Sequence, residues 1–173
     1  MTPPTGSPRA VDDTTGRWVL EQVARFADDH GRYPAGSYLR NPVGTSHAPR
    51  VGAAGAVIFV KLHQFDPQDQ RLLAIDTTEP AWLPGAVDGV SVMPLHRFGT
   101  ERVALWRWAP GVSLAPRPLP SGAELLVLEG AFECAAEDGP ERYGAGAWLR
   151  LPAGSLLGTA TAGPEGALVY AKT

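Results

Sequence analysis

The feature of the sequence that most restricts its fold is an internal repeat. The stretch YPAGSYLRNPVGTSHAP, residues 33–49, recurs 110 residues later as YGAGAWLRLPAGSLLGT, residues 143–159. A second pair, GAVIFVKL at 55–62 and GALVYAKT at 166–173, follows in the same order. Repetition at a nearly fixed distance indicates two copies of one structural unit. The positions that agree in the first pair are Tyr33, Gly36, Leu39, Arg40, Pro42 and Gly44, which recur as Tyr143, Gly146, Leu149, Arg150, Pro152 and Gly154.

Short apolar runs between turn residues predict an all-β protein. The 20 glycines and 17 prolines are scattered along the chain, and runs such as RVALWRWAP and AELLVLEG are rich in β-branched and aromatic residues. Runs of this length and composition are typical of strands. Residues 16–31 could instead form a helix with Val19, Val23 and Phe26 on one face, although a strand fits the same segment.

The repeat also predicts how the chain is organised. We expect a flexible N-terminal tail at 1–16, a truncated first repeat at 17–70 and a second repeat at 71–173. The first repeat is the shorter one because fewer residues precede its copy of the repeated segment. A shortened sheet leaves strand edges that a partner can pair with, so we expect a homodimer.

In both repeats a proline is followed two residues later by a glycine, in NPVG and in LPAG. Proline presets φ and glycine can adopt positive φ, so each tetrapeptide predicts a tight turn between two strands. The two copies differ just after the turn. The first has His47, and the equivalent position in the second is Leu157.

These residues resemble the cupin superfamily and, within it, the ChrR-like cupins, which often contain two fused units. One family motif has the form G-x5-P-x-G-x2-H. The first repeat matches it with Gly36, Pro42, Gly44 and His47, and the second with Gly146, Pro152, Gly154 and Leu157. The resemblance implies a cupin-type (jelly-roll) β-barrel in a bicupin-like arrangement with a truncated first unit.

The other family motif, G-x5-H-x-H-x3-E-x6-G, is matched in the second repeat only by its terminal glycines. The resemblance places Arg117, Leu119 and Ala123 in its three ligand positions, and Leu157 in the fourth. Leucine and alanine offer no donor atom, and arginine is a permanent cation that repels a metal ion. We therefore expect no metal and no other cofactor. His47 is then a lone histidine, which is more often a hydrogen-bonded structural group than a metal ligand. We include it among the candidate catalytic residues.

A barrel without its metal still has an interior that is either filled or able to bind a ligand. Trp106 and Trp108 share one face of a predicted strand and could form an aromatic wall, or simply pack in the core. Arg117 could clamp an anion beside them. Strict alternation from Ala123 would turn Glu129 inward as an acid–base group, the alternative being an ion pair with Arg150 or a contact with a backbone amide. Together with Leu119, Ala123 and Leu157, these residues are the predicted site.

Three classes of function fit these observations. The first is a metal-independent isomerase, cyclase or lyase acting on a small, mostly apolar molecule. The second is a ligand-sensing or regulatory cupin, related to the ChrR-like cupins of anti-sigma factors. The third is a metal-dependent cupin dioxygenase, which the missing ligands disfavour.

Composition restricts the partners and the compartment. The net charge of -3 gives no reason to expect nucleic acid or an acidic membrane surface. There is one cysteine, Cys134, so no disulfide can form within the chain, and the sequence has neither a leader pattern nor a membrane-spanning apolar run. We expect a cytoplasmic protein.

Overall fold

The computed structural model of the chain describes residues 11–13, 17–21, 26–53, 55–62, 65–79, 82–136 and 138–173. Every regular element in this part of the chain is a β-strand, which confirms the all-β prediction. The segment that could have formed a helix contains the strands Arg17–Glu21 and Phe26–Ala27. The described ranges contain no helix that is long and apolar enough to cross a bilayer.

The chain divides into two compact units, Met1–Pro80 and Ala81–Thr173, which we call the N-terminal unit and the C-terminal unit. Of the segment 1–16, residues 1–10 and 14–16 lie outside the described residues, and Val11–Asp13 form a strand. The strand Leu73–Asp76 pairs with Ser37–Asn41, so the hydrogen bonds of the N-terminal unit extend beyond residue 70.

The N-terminal unit contains nine strands in its described part. In chain order they are β1 Val11–Asp13, β2 Arg17–Glu21, β3 Phe26–Ala27, β4 Arg32–Tyr33, β5 Ser37–Asn41, β6 Thr45–His47, β7 Arg50–Val51, β8 Ile58–Leu62 and β9 Leu73–Asp76. They form a four-stranded sheet in the order β8-β2-β5-β9, a three-stranded sheet β4-β3-β7 and the pair β1-β6. All five residues of β5 are buried, including Ser37, Arg40 and Asn41.

The C-terminal unit contains ten strands in its described part. They are β10 Leu83–Pro84, β11 Val90–Phe98, β12 Glu101–Trp108, β13 Ser113–Leu114, β14 Arg117–Leu119, β15 Ala123–Ala136, β16 Gly139–Gly144, β17 Trp148–Leu151, β18 Ser155–Leu157 and β19 Ala160–Lys172. The main sheet follows the path β10-β11-β12-β19-β15-β16, with β13 attached to β19 and β17 attached to β15. Strands β14 and β18 form a separate antiparallel pair.

The repeated turn takes the same form in both units. Thr45 donates its backbone N–H to the carbonyl of Pro42 at 3.2 Å, and Ser155 donates to Pro152 at 3.1 Å. The glycine inside each turn has a φ of 87° at position 44 and 81° at position 154. The proline and glycine spacing therefore produces the predicted tight turn, which returns β5 into β6 and β17 into β18.

The core of the C-terminal unit lies against the long strands β12, β15 and β19. Leu125 and Val127 of β15 lie opposite Ala171 and Val169 of β19, and all four are at most 1% exposed. Packing an alternating apolar face of this kind is the main source of stability in a sheet protein. This apolar cluster, which we call the C-terminal core, also receives side chains from the pair β14-β18.

Candidate functional site

The four positions that would carry ligands in a metal-binding relative lie close together in the C-terminal unit. Arg117 of β14 pairs in register with Leu157 of β18. Leu119, Ala123 and Leu157 are 4%, 6% and 2% exposed and belong to the same C-terminal core. The spacing in the sequence therefore identified residues that share one neighbourhood, and three of the four are apolar core side chains.

Trp106 and Trp108 both pack on the C-terminal core from one face of β12. Trp106 lies opposite Val169 and Trp108 opposite Ala167 on the neighbouring strand β19. Trp108 is 1% exposed, and its ring centroid lies 5.2 Å from that of Phe132. Trp108 is thus a core residue, whereas Trp106 is only partly buried and borders the core.

Arg117 is half-buried and lies over the ring of Trp106. Its Cζ atom is 4.4 Å from the ring centroid, within the range of a cation–π contact. Burial lowers the pKa of the guanidinium from its usual value. Its Nε atom is buried and has no hydrogen-bond partner within the part of the chain that the structure describes. The edge of the C-terminal core therefore carries a positive charge with one N–H donor that no acceptor in the described ranges satisfies.

The expectation that Glu129 faces the interior is wrong, because it is exposed. The register of β15 against β19 shifts between Val127 and Glu129, which lie opposite Val169 and Leu168. A bulge of this kind inserts one residue into the strand. The side chains after it therefore lie on the face opposite to the one that strict alternation predicts. Arg150, one of the two partners considered for Glu129, instead lies 3.8 Å from Glu124.

His47 belongs to the N-terminal unit and is therefore not part of the C-terminal core. It ends β6, lies opposite Val11 of β1 and is 2% exposed. The neighbouring Ser46 carbonyl lies 3.2 Å from Nε2 of His30. The assignment of His47 as a catalytic residue stays a prediction.

The comparison with protein families agrees with the two repeats. The sequence model of the ChrR cupin-like domain matches the chain twice, over residues 12–66 and 70–173. The chain belongs to the ChrR cupin-like family. No curated protein matches this cupin significantly.

Solved structures show the same fold at low sequence identity. A candidate dioxygenase from Nostoc punctiforme superposes with a TM-score of 0.73 at 14% identity, over 91% of this cupin and 61% of that chain. A cupin 2 conserved barrel domain protein from Leptotrichia buccalis gives 0.65 at 13%, covering 95% and 76%. AerE from Microcystis aeruginosa gives 0.68 at 10%, covering 95% and 79%. These similarities confirm the predicted cupin fold, and this cupin spans about three fifths of the Nostoc protein.

The residues of the C-terminal core do not fit the metal that many cupins carry. A cupin metal needs imidazole and carboxylate donors, and the corresponding positions hold Arg117, Leu119, Ala123 and Leu157. Across the described ranges, no group of three or more histidine, cysteine, aspartate or glutamate side chains could hold a metal ion.

Sequence reasoning missed two aromatic residues of this region. Phe132 is 1% exposed, and its ring centroid lies 5.2 Å from that of Tyr143, which borders the C-terminal core. The Tyr143 hydroxyl donates a hydrogen bond to Glu141, which together with burial raises the pKa of Tyr143 to about 12. Strict alternation from Ala123 places Phe132 on the opposite face, because the count does not include the register shift between Val127 and Glu129.

Proposed function

We propose that this cupin binds a small, mostly apolar molecule with a carboxylate or carbonyl group in its C-terminal unit, without a metal ion. The observation that carries the proposal is the buried Nε of Arg117, which has no acceptor among the described residues. A buried donor without a partner is costly, so an oxygen supplied by a ligand would relieve that cost. The apolar part of such a molecule would lie against Trp106, which is partly buried at the border of the C-terminal core. Leu119 and Leu157, which are 4% and 2% exposed, form the packed core behind it.

A metal-independent reaction of the isomerase, cyclase or lyase type would use the same arrangement. The guanidinium of Arg117 could stabilise an enolate-like oxygen as negative charge develops on it. A proton acceptor would also be needed, and Glu129 is exposed. Tyr143, with a pKa of about 12, keeps its proton at neutral pH and is a donor rather than a base.

The exposed position of Glu129 favours a second candidate function, ligand sensing without catalysis. The C-terminal core, as far as it is described, contains apolar side chains and one thiol but no carboxylate. A receptor needs only the binding contacts of Arg117 and Trp106. Following a bound ligand by NMR separates the two functions, because an enzyme converts it and a sensor returns it unchanged.

Replacing Arg117 by alanine tests the binding site. We expect the affinity for a hydrophobic carboxylate, screened among benzoate, phenylacetate and isovalerate, to fall by ~1.5–3 kcal/mol, the range for a hydrogen bond to a charged group. The free energy of unfolding should change much less, because the substitution also removes a partly desolvated charge. Isothermal titration calorimetry measures the first quantity and denaturant unfolding the second.

Arg107→Ala is the matched control. Arg107 also lies over a tryptophan, 3.9 Å from the ring centroid of Trp82, but it is an exposed residue between Trp106 and Trp108 on β12. Its loss should leave binding unchanged, as should treatment of the protein with a chelator. Equal losses of affinity in Arg117→Ala and Arg107→Ala would contradict the proposal, and so would loss of binding after chelation.

We also propose that the protein is a cytoplasmic homodimer. The only cysteine is a buried free thiol, as expected in a reducing compartment. Strand β8 pairs on one side with β2 in the described part of the sheet, and apolar residues at this edge are exposed: Val57 at 61%, Ile58 at 38% and Leu62 at 45%. Edges of this kind promote pairing between chains.

Light scattering tests the dimer. The wild-type protein should have twice the mass of one chain, and Ile58→Lys should have the mass of a single chain, because a charge at this edge disfavours strand pairing. A wild-type monomer at micromolar concentration would rule the dimer out.

A further inference from the structure

An open cavity of about 300 Å³ lies in the C-terminal unit, where β12, β15, β17 and β19 meet the turns that follow β14 and β17. Its lining combines charges of both signs with small polar groups. The charged residues are Glu101, Glu124, Arg150 and Lys172, and the hydroxyl side chains include Thr100 and Ser121. Counted over the side chains alone, two carboxylates balance two cations, and this mixed lining suits a dipolar ligand.

The two ion pairs in this cavity are held with different strength. Nζ of Lys172 lies 2.7 Å from Oε2 of Glu101, which is a hydrogen-bonded pair. Nε of Arg150 lies 3.8 Å from Oε1 of Glu124, which is too long for a hydrogen bond. The side chain of Arg150 is 69% exposed, whereas that of Glu124 is 13% exposed. Arg150 is therefore the charged group in the cavity that can most easily turn towards a ligand.

The arginine that the two repeats share is buried in the N-terminal unit and exposed in the C-terminal unit. Arg40, the equivalent residue of the N-terminal unit, is 3% exposed, forms an ion pair with Asp69 and lies 3.8 Å from the ring centroid of Phe65. Arg150 occupies the same place in the motif but lines a cavity and has only a loose partner. The structural role of the arginine in the first copy thus does not explain its presence in the second.

We propose that this cavity binds a small zwitterion of the size of a free amino acid. The carboxylate of the ligand would be held by the planar guanidinium of Arg150, which matches it in two parallel hydrogen bonds. Its ammonium group would face Glu124, which lies across from Arg150 on one side and from Lys172 on the other. Leu151 and Pro152 also line the cavity, and the small side chain of the ligand would lie against them.

Titration of the full chain at low ionic strength with glycine, L-alanine and L-serine tests this site, using NMR shifts of residues 150–154. We expect binding of at least one of them, and at least a tenfold weaker affinity for its N-acetyl derivative and for its amide, each of which lacks one charge. A flat titration up to about 20 mM, or equal binding of the blocked derivatives, would overturn the proposal.

Two substitutions separate the roles of the charges. Arg150→Gln should weaken binding of the amino acid by about tenfold or more, and the protein should no longer prefer the amino acid to its amide. After Glu124→Gln the protein should no longer prefer the amino acid to its N-acetyl derivative. Arg142→Gln, an exposed arginine on β16, is the control and should change neither. Binding that survives Arg150→Gln unchanged would exclude this cavity as the site, whatever the outcome for Arg117.

Discussion

Alanine at position 130 is expected to destabilise the protein by about 2–5 kcal/mol, the sum of left-handed backbone strain and forced overpacking. Gly130 lies within β15 next to a register shift, with φ of 66°. A Cβ atom built there would lie 2.1 Å from the carbonyl oxygen of Gly166, which belongs to the adjacent strand β19. Backbone atoms cannot move aside as a flexible side chain would, so strands β15 and β19 would have to separate. Denaturant unfolding followed by tryptophan fluorescence measures the loss.

Gly154→Ala is the control for this prediction. Gly154 also has positive φ, 81°, but a Cβ atom there would meet nothing within 4 Å. The Gly154→Ala variant should lose only about 1–2 kcal/mol of stability, the cost of left-handed backbone strain. Similar losses in the two variants would mean that the close approach of β15 and β19 is not what requires glycine at position 130.

The sequence predicted the turns and the neighbourhood of the site because both depend on local chemistry. Proline and glycine two residues apart produce the same turn at Pro42 and at Pro152, whatever surrounds them. The pairing of Arg117 with Leu157 follows from the repeat and the family spacing, because fixed spacings on short strands bring fixed positions together.

The orientation of Glu129 could not be predicted because alternation was counted through a bulge. The extra residue between Val127 and Glu129 changes the face of each following side chain. The need for it arises from the pairing of β15 with β19, whose residues lie about 40 positions away. The sequence of β15 alone does not contain that information.

The different environments of Arg40 and Arg150 show that the repeated motif does not predict the burial of a side chain. Both arginines occupy one motif position, yet one is buried and the other exposed. The difference comes from Asp69 and Phe65, which lie outside the repeated segment and cover the first arginine. A motif therefore fixes the backbone position of a side chain, while its burial depends on distant residues.

Replacing Asp69 by alanine is expected to lower the free energy of unfolding by about 3–5 kcal/mol, the range for breaking a buried ion pair on one side. Asp69 and Arg40 are each 3% exposed, and Nη2 of Arg40 donates to Oδ2 of Asp69. The substitution would leave a buried guanidinium on the ring of Phe65 without its counter-charge. Urea unfolding monitored by circular dichroism measures the change.

An exposed pair in the same unit provides the control. Arg50 and Asp29 lie 2.6 Å apart with side chains 60% and 55% exposed, so Asp29→Ala should cost less than about 1 kcal/mol. The double variant Arg40→Met with Asp69→Leu should recover most of the stability, because it removes the buried charges together. If Asp69→Ala costs no more than Asp29→Ala, the Arg40 guanidinium must reach solvent or another anion, and the pair would not hold β5 in place. A loss of several kcal/mol that the double variant reverses would instead show that the unpaired charge, and not the lost contact area, is what destabilises this strand.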